Sequence, residues 1–257
     1  MEDFETTNLS TSSYGFSHIG FDDLGATEYT LVTIAVDNST SISSLAPVIN
    51  TCLGTVIKAC ALSPRADNLM VRVITFDSKV NEHHGFKLLM NCNPDDYLDC
   101  VSGNGMTSLN DAAVNAIEAA NVYATSLKDE DYDVNGLVVI ISDGCENDST
   151  NSVKQVADVL KQVQMNEQID GGLHSILIGC EQGGWGNVTK ELDAWKTEAG
   201  FSQYVPLTNV DDKSFAKIAQ FISRSISSQS QALATNGPSK SLSFDDDQQA
   251  SSGGLSF

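Results

Sequence analysis

Positive charge is scarce in this chain: 14 Lys and Arg stand against 34 Asp and Glu, giving a formal net charge of −20 over 257 residues. That field repels phosphate backbones and draws cations, so nucleic acid is not expected as a direct ligand. Long apolar runs are missing as well, each one ending in polar residues well short of the ~20 that a spanning helix needs, so no membrane segment is expected. The opening residues, Met-Glu-Asp-Phe-Glu-Thr-Thr, have neither a basic start nor an apolar stretch and do not resemble a secretory signal. The expectation is a cytoplasmic protein. The cysteines, Cys52, Cys60, Cys92, Cys100, Cys145 and Cys180, form no Cys-x-x-Cys pair and no disulfide framework, so they read as reduced, structural thiols. The phosphate-cradling pattern Gly-x-x-x-x-Gly-Lys-Ser/Thr is absent, which leaves any nucleotide chemistry to a partner.

What is present suits one α/β domain: 41% hydrophobic residues can fill one substantial core. Residues 1–28 are rich in Ser, Thr, Gly and acids and read as a flexible or loosely docked leader, with Phe16, His18, Ile19 and Phe21 able to pack as a strand or a plug. Residues 29–228 form the domain. A β-branched run from Tyr29 is the first core strand, and helical periodicity follows through Ile42, Leu45, Val48, Ile49, Leu53, Val56 and Ile57. Strands are expected over 69–76, 136–142, 173–178 and 204–207, and a short one over 85–90 at the sheet edge. Helices are expected over 108–127, from Val153, over 192–199 and over 215–226. Alternating strands and helices imply a parallel sheet covered on both faces with right-handed crossovers. Residues 229–257 are of low complexity and read as a disordered tail, in which Ser241-Leu242-Ser243-Phe244 is echoed by Gly254-Leu255-Ser256-Phe257.

In parallel α/β sheets, ligands sit beyond the carboxyl ends of the strands where the strand order reverses. Three segments fall at such ends: Asp37-Asn38-Ser39-Thr40-Ser41, Gly105-Met106-Thr107 and Ser142-Asp143-Gly144. A hard cation takes about six oxygen ligands, usually one or two carboxylates completed by hydroxyls and water. Asp37, Ser39, Ser41, Thr107 and Asp143 supply such a set. Each residue alone is as well explained as a helix cap or a turn residue, but five oxygen donors in three strand-end loops are hard to obtain from capping.

These residues resemble the von Willebrand factor A (vWA) family and its metal-ion-dependent adhesion site (MIDAS), Asp-x-Ser-x-Ser followed by a distant Thr and then an Asp. Asp37, Ser39 and Ser41 match the triplet, Gly105 to Ala112 looks like the threonine loop, and Ile141 to Gly144 looks like the aspartate loop. The resemblance implies a doubly wound, Rossmann-like, mostly parallel sheet of six strands with helices on both faces and one short antiparallel edge strand, here 85–90. It also implies Mg²⁺ or Mn²⁺ at the five residues, with a protein partner's Asp or Glu completing the coordination, and an intracellular adaptor role, with an AAA+ ATPase or another assembly component as the partner.

Weaker partner-binding candidates are Trp185, in Gly-Gly-Trp-Gly, and Asp111, which is either an outer hydrogen-bonding residue or an exposed carboxylate in the first turn of a helix. His83-His84 reads as a solvated loop. The leading function is a metal-dependent, non-catalytic protein-interaction module. The alternatives are a self-assembling protein whose tail acids Asp245, Asp246 and Asp247 dock on a neighbouring chain, and a Mg²⁺-dependent hydrolase, which the absence of a plausible base near these loops disfavours.

Overall fold

Ten consecutive residues, β3 (Glu28–Asp37), form the strand at the middle of the sheet, and all but the first are buried. The computed structural model describes residues 4–22, 24–144, 146–166, 168–181, 188–207, 211–235 and 242–244. β-Branched and aromatic side chains fit a pleated surface covered on both faces, and β3 is rich in them. It pairs in parallel with β4 (Leu69–Phe76) on one side and β6 (Asp133–Ser142) on the other. The sheet continues through β7 (Leu173–Cys180) to β8 (Gln203–Leu207), both parallel. On the opposite side, β5 (Val80–Leu88) runs antiparallel to β4.

Tyr29, Leu31 and Ala35 face a core shared with α2 (Leu109–Asp129), α3 (Val153–Met165) and α4 (Val188–Ala199). Val32, Ile34 and Val36 face α1 (Ala46–Ala61) and α5 (Asp212–Ala234). The alternation of side chains along one strand thus supplies two cores. The expected α/β sheet with helices on both faces is what forms. Among the described residues, no helix is long and apolar enough to cross a membrane, and Cys52, Cys60, Cys92, Cys100 and Cys180 are free thiols.

The sheet departs from the expected six strands. It has eight, in the order β1-β2-β5-β4-β3-β6-β7-β8, because residues ahead of the domain add β2 (Phe16–Ile19) alongside β5 and β1 (Phe4–Thr7) antiparallel to β2. β5 is therefore an interior strand and longer than the edge strand expected over 85–90. Side chains on the domain fix this addition. The Glu82 carboxylate receives Ser17 N–H at 3.0 Å and Ser17 Oγ–H at 2.5 Å while pairing with the buried Arg72 at 2.6 Å. Asn115 accepts from Arg72 Nη2 at 2.9 Å and donates to Tyr14 O at 3.0 Å. Glu118, itself buried, accepts the consecutive backbone N–H groups of Ser10, Thr11 and Ser12. Gly85 allows the close approach, since a β-carbon there would stand 2.1 Å from Ser17 O.

His83 and His84 lie inside β5 and not in a solvated loop. His84 Nδ1 is 2.9 Å from Gly85 O and Nε2 is 2.7 Å from the buried Tyr97 hydroxyl. Burial pushes the His84 imidazole down to about 3. At the other end of the chain, α5 does not stop near Ile226 but runs to Ala234, because Gln229, Ser230 and Leu233 are buried. Asn135 Nδ2 donates to Gln229 O at 2.6 Å, and Arg65 Nε to Ser230 Oγ at 3.2 Å.

Candidate functional site

The chain leaves β3 toward α1 on one face of the sheet and reaches the neighbouring strand β6 through α2 on the other face. In open α/β sheets ligands bind at such a reversal, here beyond the carboxyl ends of β3 and β6. Asp37 is the last residue of β3, and Asp143 follows the last residue of β6.

All five sequence-predicted ligands meet there. Asp37 is fully buried, and among the described residues its carboxylate accepts from Ser39 N–H at 2.8 Å and from Ser142 Oγ–H at 2.6 Å. Ser39 Oγ and Ser41 Oγ are 3.0 Å apart, and Ser41 Oγ donates to Asp143 Oδ1 at 2.8 Å. Thr107 stands beside them: a β-carbon added at Gly144 would be 3.5 Å from Thr107 Oγ1 and 3.7 Å from Ser41 Oγ. Two carboxylates and three hydroxyls therefore line one small volume. None of the salt bridges among the described residues includes Asp37. Burial, reinforced by the nearby charge of Asp143, pushes the Asp37 carboxyl up to about 6 against the hydrogen bonds from Ser142 and Ser39.

Amide side chains shape the three loops. Asn38 Oδ1 accepts from Ser102 and Gly103 N–H at 2.8 and 2.9 Å, and Gly105 O accepts from Thr40 N–H at 3.1 Å. These bonds tie the serine loop to the chain entering the threonine loop. Asn147 accepts Thr107 N–H at 2.9 Å and returns its own N–H to Thr107 O at 3.0 Å. Glu146 accepts from Asn110 N–H at 2.8 Å, which fixes the start of α2 against the loop after β6.

Asp111 is not an exposed carboxylate. It is buried and accepts from Thr150 N–H at 3.0 Å, Asn151 N–H at 2.8 Å and Asn151 Nδ2 at 2.8 Å. Its role is to anchor the loop that carries Asp143 onto α2, since its oxygens are turned into the chain. Trp185 lies outside the described residues, as do Asp245, Asp246 and Asp247. Asn38, Ser142, Glu146 and Asn147 support the site without being among the five expected ligands, and their signal in the sequence is the density of Asn, Asp and Ser in strand-end loops. Met106, 49% exposed between Gly105 and the ligand Thr107, is a further rim residue.

The donor set fits a hard divalent cation. It is all oxygen, it carries two carboxylates, and the buried Asp37 charge is opposed by nothing but hydroxyl and amide dipoles among the described residues.

Comparison with known proteins agrees with this architecture. The sequence pattern of the von Willebrand factor type A domain matches residues 32–209. No curated protein matches the chain. Among solved structures, the PilB minor pilin from Streptococcus sanguinis is similar with a TM-score of 0.59 at 13% identity, over 86% of this chain and 66% of that one. The pilus adhesin SpaC from Lactobacillus rhamnosus GG, in its open conformation, gives 0.58 at 9% identity, over 88% and 33% of the two chains. Proximal thread matrix protein 1 from the mussel byssus, with a zinc-occupied MIDAS motif, gives 0.52 at 16% identity, over 78% and 46%. At these identities the likeness is one of fold, and the chain spans two thirds or less of each of those proteins.

Proposed function

Because the chain belongs to the von Willebrand factor type A domain family, we propose that it is a protein-interaction module of the MIDAS type that grips a partner's Asp or Glu through a divalent cation. The observation that carries the reading is the convergence of Asp37, Ser39, Ser41, Thr107 and Asp143 at the reversal point of the sheet. These five residues would hold Mg²⁺ or Mn²⁺. When bound, the ion supplies a positive charge with a coordination position left for an outside carboxylate. The zinc-occupied site of the mussel byssus protein supports the divalent part of this reading.

The chain's own groups favour binding over turnover. Ser39 and Ser142 hold the Asp37 carboxylate by hydrogen bonds, which orients it as a ligand. Asp111, Asn147 and Glu146 fix the loop after β6 against Thr107 and α2, so the donor geometry is set before any ion arrives. Met106 places an apolar side chain at the rim, where a partner carrying the carboxylate would bury it. Free, mostly buried thiols suit a reducing compartment and support an intracellular setting.

Isothermal titration with Mg²⁺ and with Mn²⁺ tests the metal half of the reading. Saturable binding is expected that Asp37→Ala abolishes, and no heat at millimolar metal would overturn it. Affinity capture in Mg²⁺ against chelator tests the partner half. At least one protein should be lost on chelation and also on Asp37→Ala.

A further inference from the structure

The last described residues, Leu242, Ser243 and Phe244, lie in a groove between β8, which is an edge of the sheet, and α5. The Phe244 ring meets Phe221 of α5 edge-on, with centroids 5.3 Å apart. Leu242 packs on the core beneath and borders a depression that Leu62, Pro64 and Arg224 also line. The Gln203 side chain clamps the main chain between them: its Nε2 donates to Leu242 O at 2.7 Å, and its Oε1 accepts Phe244 N–H at 2.9 Å. A side-chain amide thus reproduces the pair of bonds that a neighbouring strand would make. Ser243 points to solvent. The groove therefore reads the first and third side chains of a tripeptide plus its main chain, which is a Leu-x-Phe pattern. Leu62, 87% exposed in the wall, leaves apolar surface beside the occupant.

The same tripeptide recurs once downstream, as Leu255-Ser256-Phe257. We propose that the groove between β8 and α5 is a docking seat for Leu-x-Phe segments, and that its second occupant is Leu255-Ser256-Phe257 of the same chain, which takes the seat when Leu242-Ser243-Phe244 leaves it. Reach is sufficient. Residues 236–254 separate the end of α5 from the second copy, and a flexible chain of that length would span roughly 25 Å on average. A tether of that length holds its end near the seat at an effective concentration of about millimolar, well above what other chains supply in dilute solution. The first copy is the preferred occupant. It has the shorter tether.

Hydrogen exchange on the full chain tests this, read at β8 and at residues 224–235, with β4 as the measure of the global fold. Three variants are compared with the natural sequence: Leu242→Ser with Phe244→Ser, Leu255→Ser with Phe257→Ser, and all four together. The two double variants are expected to keep protection within about twofold of the natural chain, and the quadruple variant to exchange at least about tenfold faster at β8 and α5 while β4 stays protected. A synthetic Ser-Ser-Gly-Gly-Leu-Ser-Phe peptide should restore protection to the quadruple variant, and the same peptide with Ser for Leu and Phe should not. Gln203→Ala, which leaves the tail intact, should raise exchange in the natural chain and in both double variants and change nothing in the quadruple variant, whose seat is already empty. The proposal is overturned if Leu242→Ser with Phe244→Ser exchanges as fast as the quadruple variant, or if the quadruple variant exchanges like the natural chain. Protection of that first double variant that disappears on dilution would assign the seat to a second copy and equally overturn same-chain occupancy.

Discussion

Replacing Asp37 by Asn keeps the shape of the side chain and removes its charge. The Asn oxygen can still accept Ser39 N–H, and its Nδ2 can donate to Ser142 Oγ, so the hydrogen bonds at 2.8 and 2.6 Å each retain a partner. What changes is the cost of holding a carboxylate out of water. The Asp37 carboxyl is raised from 3.8 to about 6. For a raised acid, the unfolded chain loses its proton first as pH rises, so stability falls across that window and stays lower above it. At ~1.4 kcal/mol per pH unit, the deficit at neutral pH is about 3 kcal/mol. In chelator at pH 7.5, Asp37→Asn is therefore expected to be the more stable protein, with a melting temperature higher by roughly 6–12 °C for a domain of this size. The difference should close as pH falls from 6 toward 3.8. Added Mg²⁺ should then raise the natural chain alone, by ~2.7 kcal/mol at a hundred times its dissociation constant. Thermal melts at pH 4 and 7.5, with and without metal, give all four comparisons. A metal-free Asp37→Asn that is equally or less stable at pH 7.5 would refute the claim that the buried carboxylate is a strained, unneutralised ligand.

Asp111→Ala should cost about 3 kcal/mol in urea unfolding, because it leaves the N–H groups of Thr150 and Asn151 without their acceptor, and it should weaken metal binding measured by calorimetry without touching a ligand. Met106→Ser is expected to leave metal affinity unchanged and to reduce partner capture severalfold, since the residue faces outward beside Thr107. The neutral His84 imidazole favours the folded chain only while it stays unprotonated. With its folded value near 3 against 6.5 when exposed, stability should fall as pH drops below 6.5, and His84→Gln should flatten that acid limb in denaturant titrations. Glu118→Gln should accelerate hydrogen exchange across residues 10–19 by about tenfold while leaving β3 and β6 protected, because a neutral amide offers a weaker acceptor to three backbone donors.

The central strands were readable because their periodicity is local. Leu69–Phe76 is a strand over the span its apolar run marks, and the Asp37, Thr107 and Asp143 loops fall at strand and helix ends, as their residue types require. β1 was not readable as a strand, and β2 was readable only as a segment able to pack as a strand or a plug, because nothing local stabilises four-residue segments. They are held by Glu82, Asn115 and Glu118, residues far along the chain. The interior place of β5 follows from the same addition. The last two turns of α5 carry Ser and Gln where helical patterning calls for apolar residues, and their burial depends on Arg65 and Asn135. Asp111 shows the limit most directly. Its sequence position is that of an ordinary first-turn acid, and only the folded path of residues 149–151 turns it inward.

The leader's dependence on Glu118 has a consequence for how the protein is made. Synthesis proceeds at about 5–20 residues per second, so the acceptor for the Ser10–Ser12 amides emerges roughly 5–20 s after those residues do. Through that interval β1 and β2 have no sheet to join, since β5, α2 and the Arg72–Glu82 pair have yet to assemble. A segment translated before its acceptors is thus among the last to find its place, and its polar, acidic composition is what lets it wait in water without associating with other nascent chains.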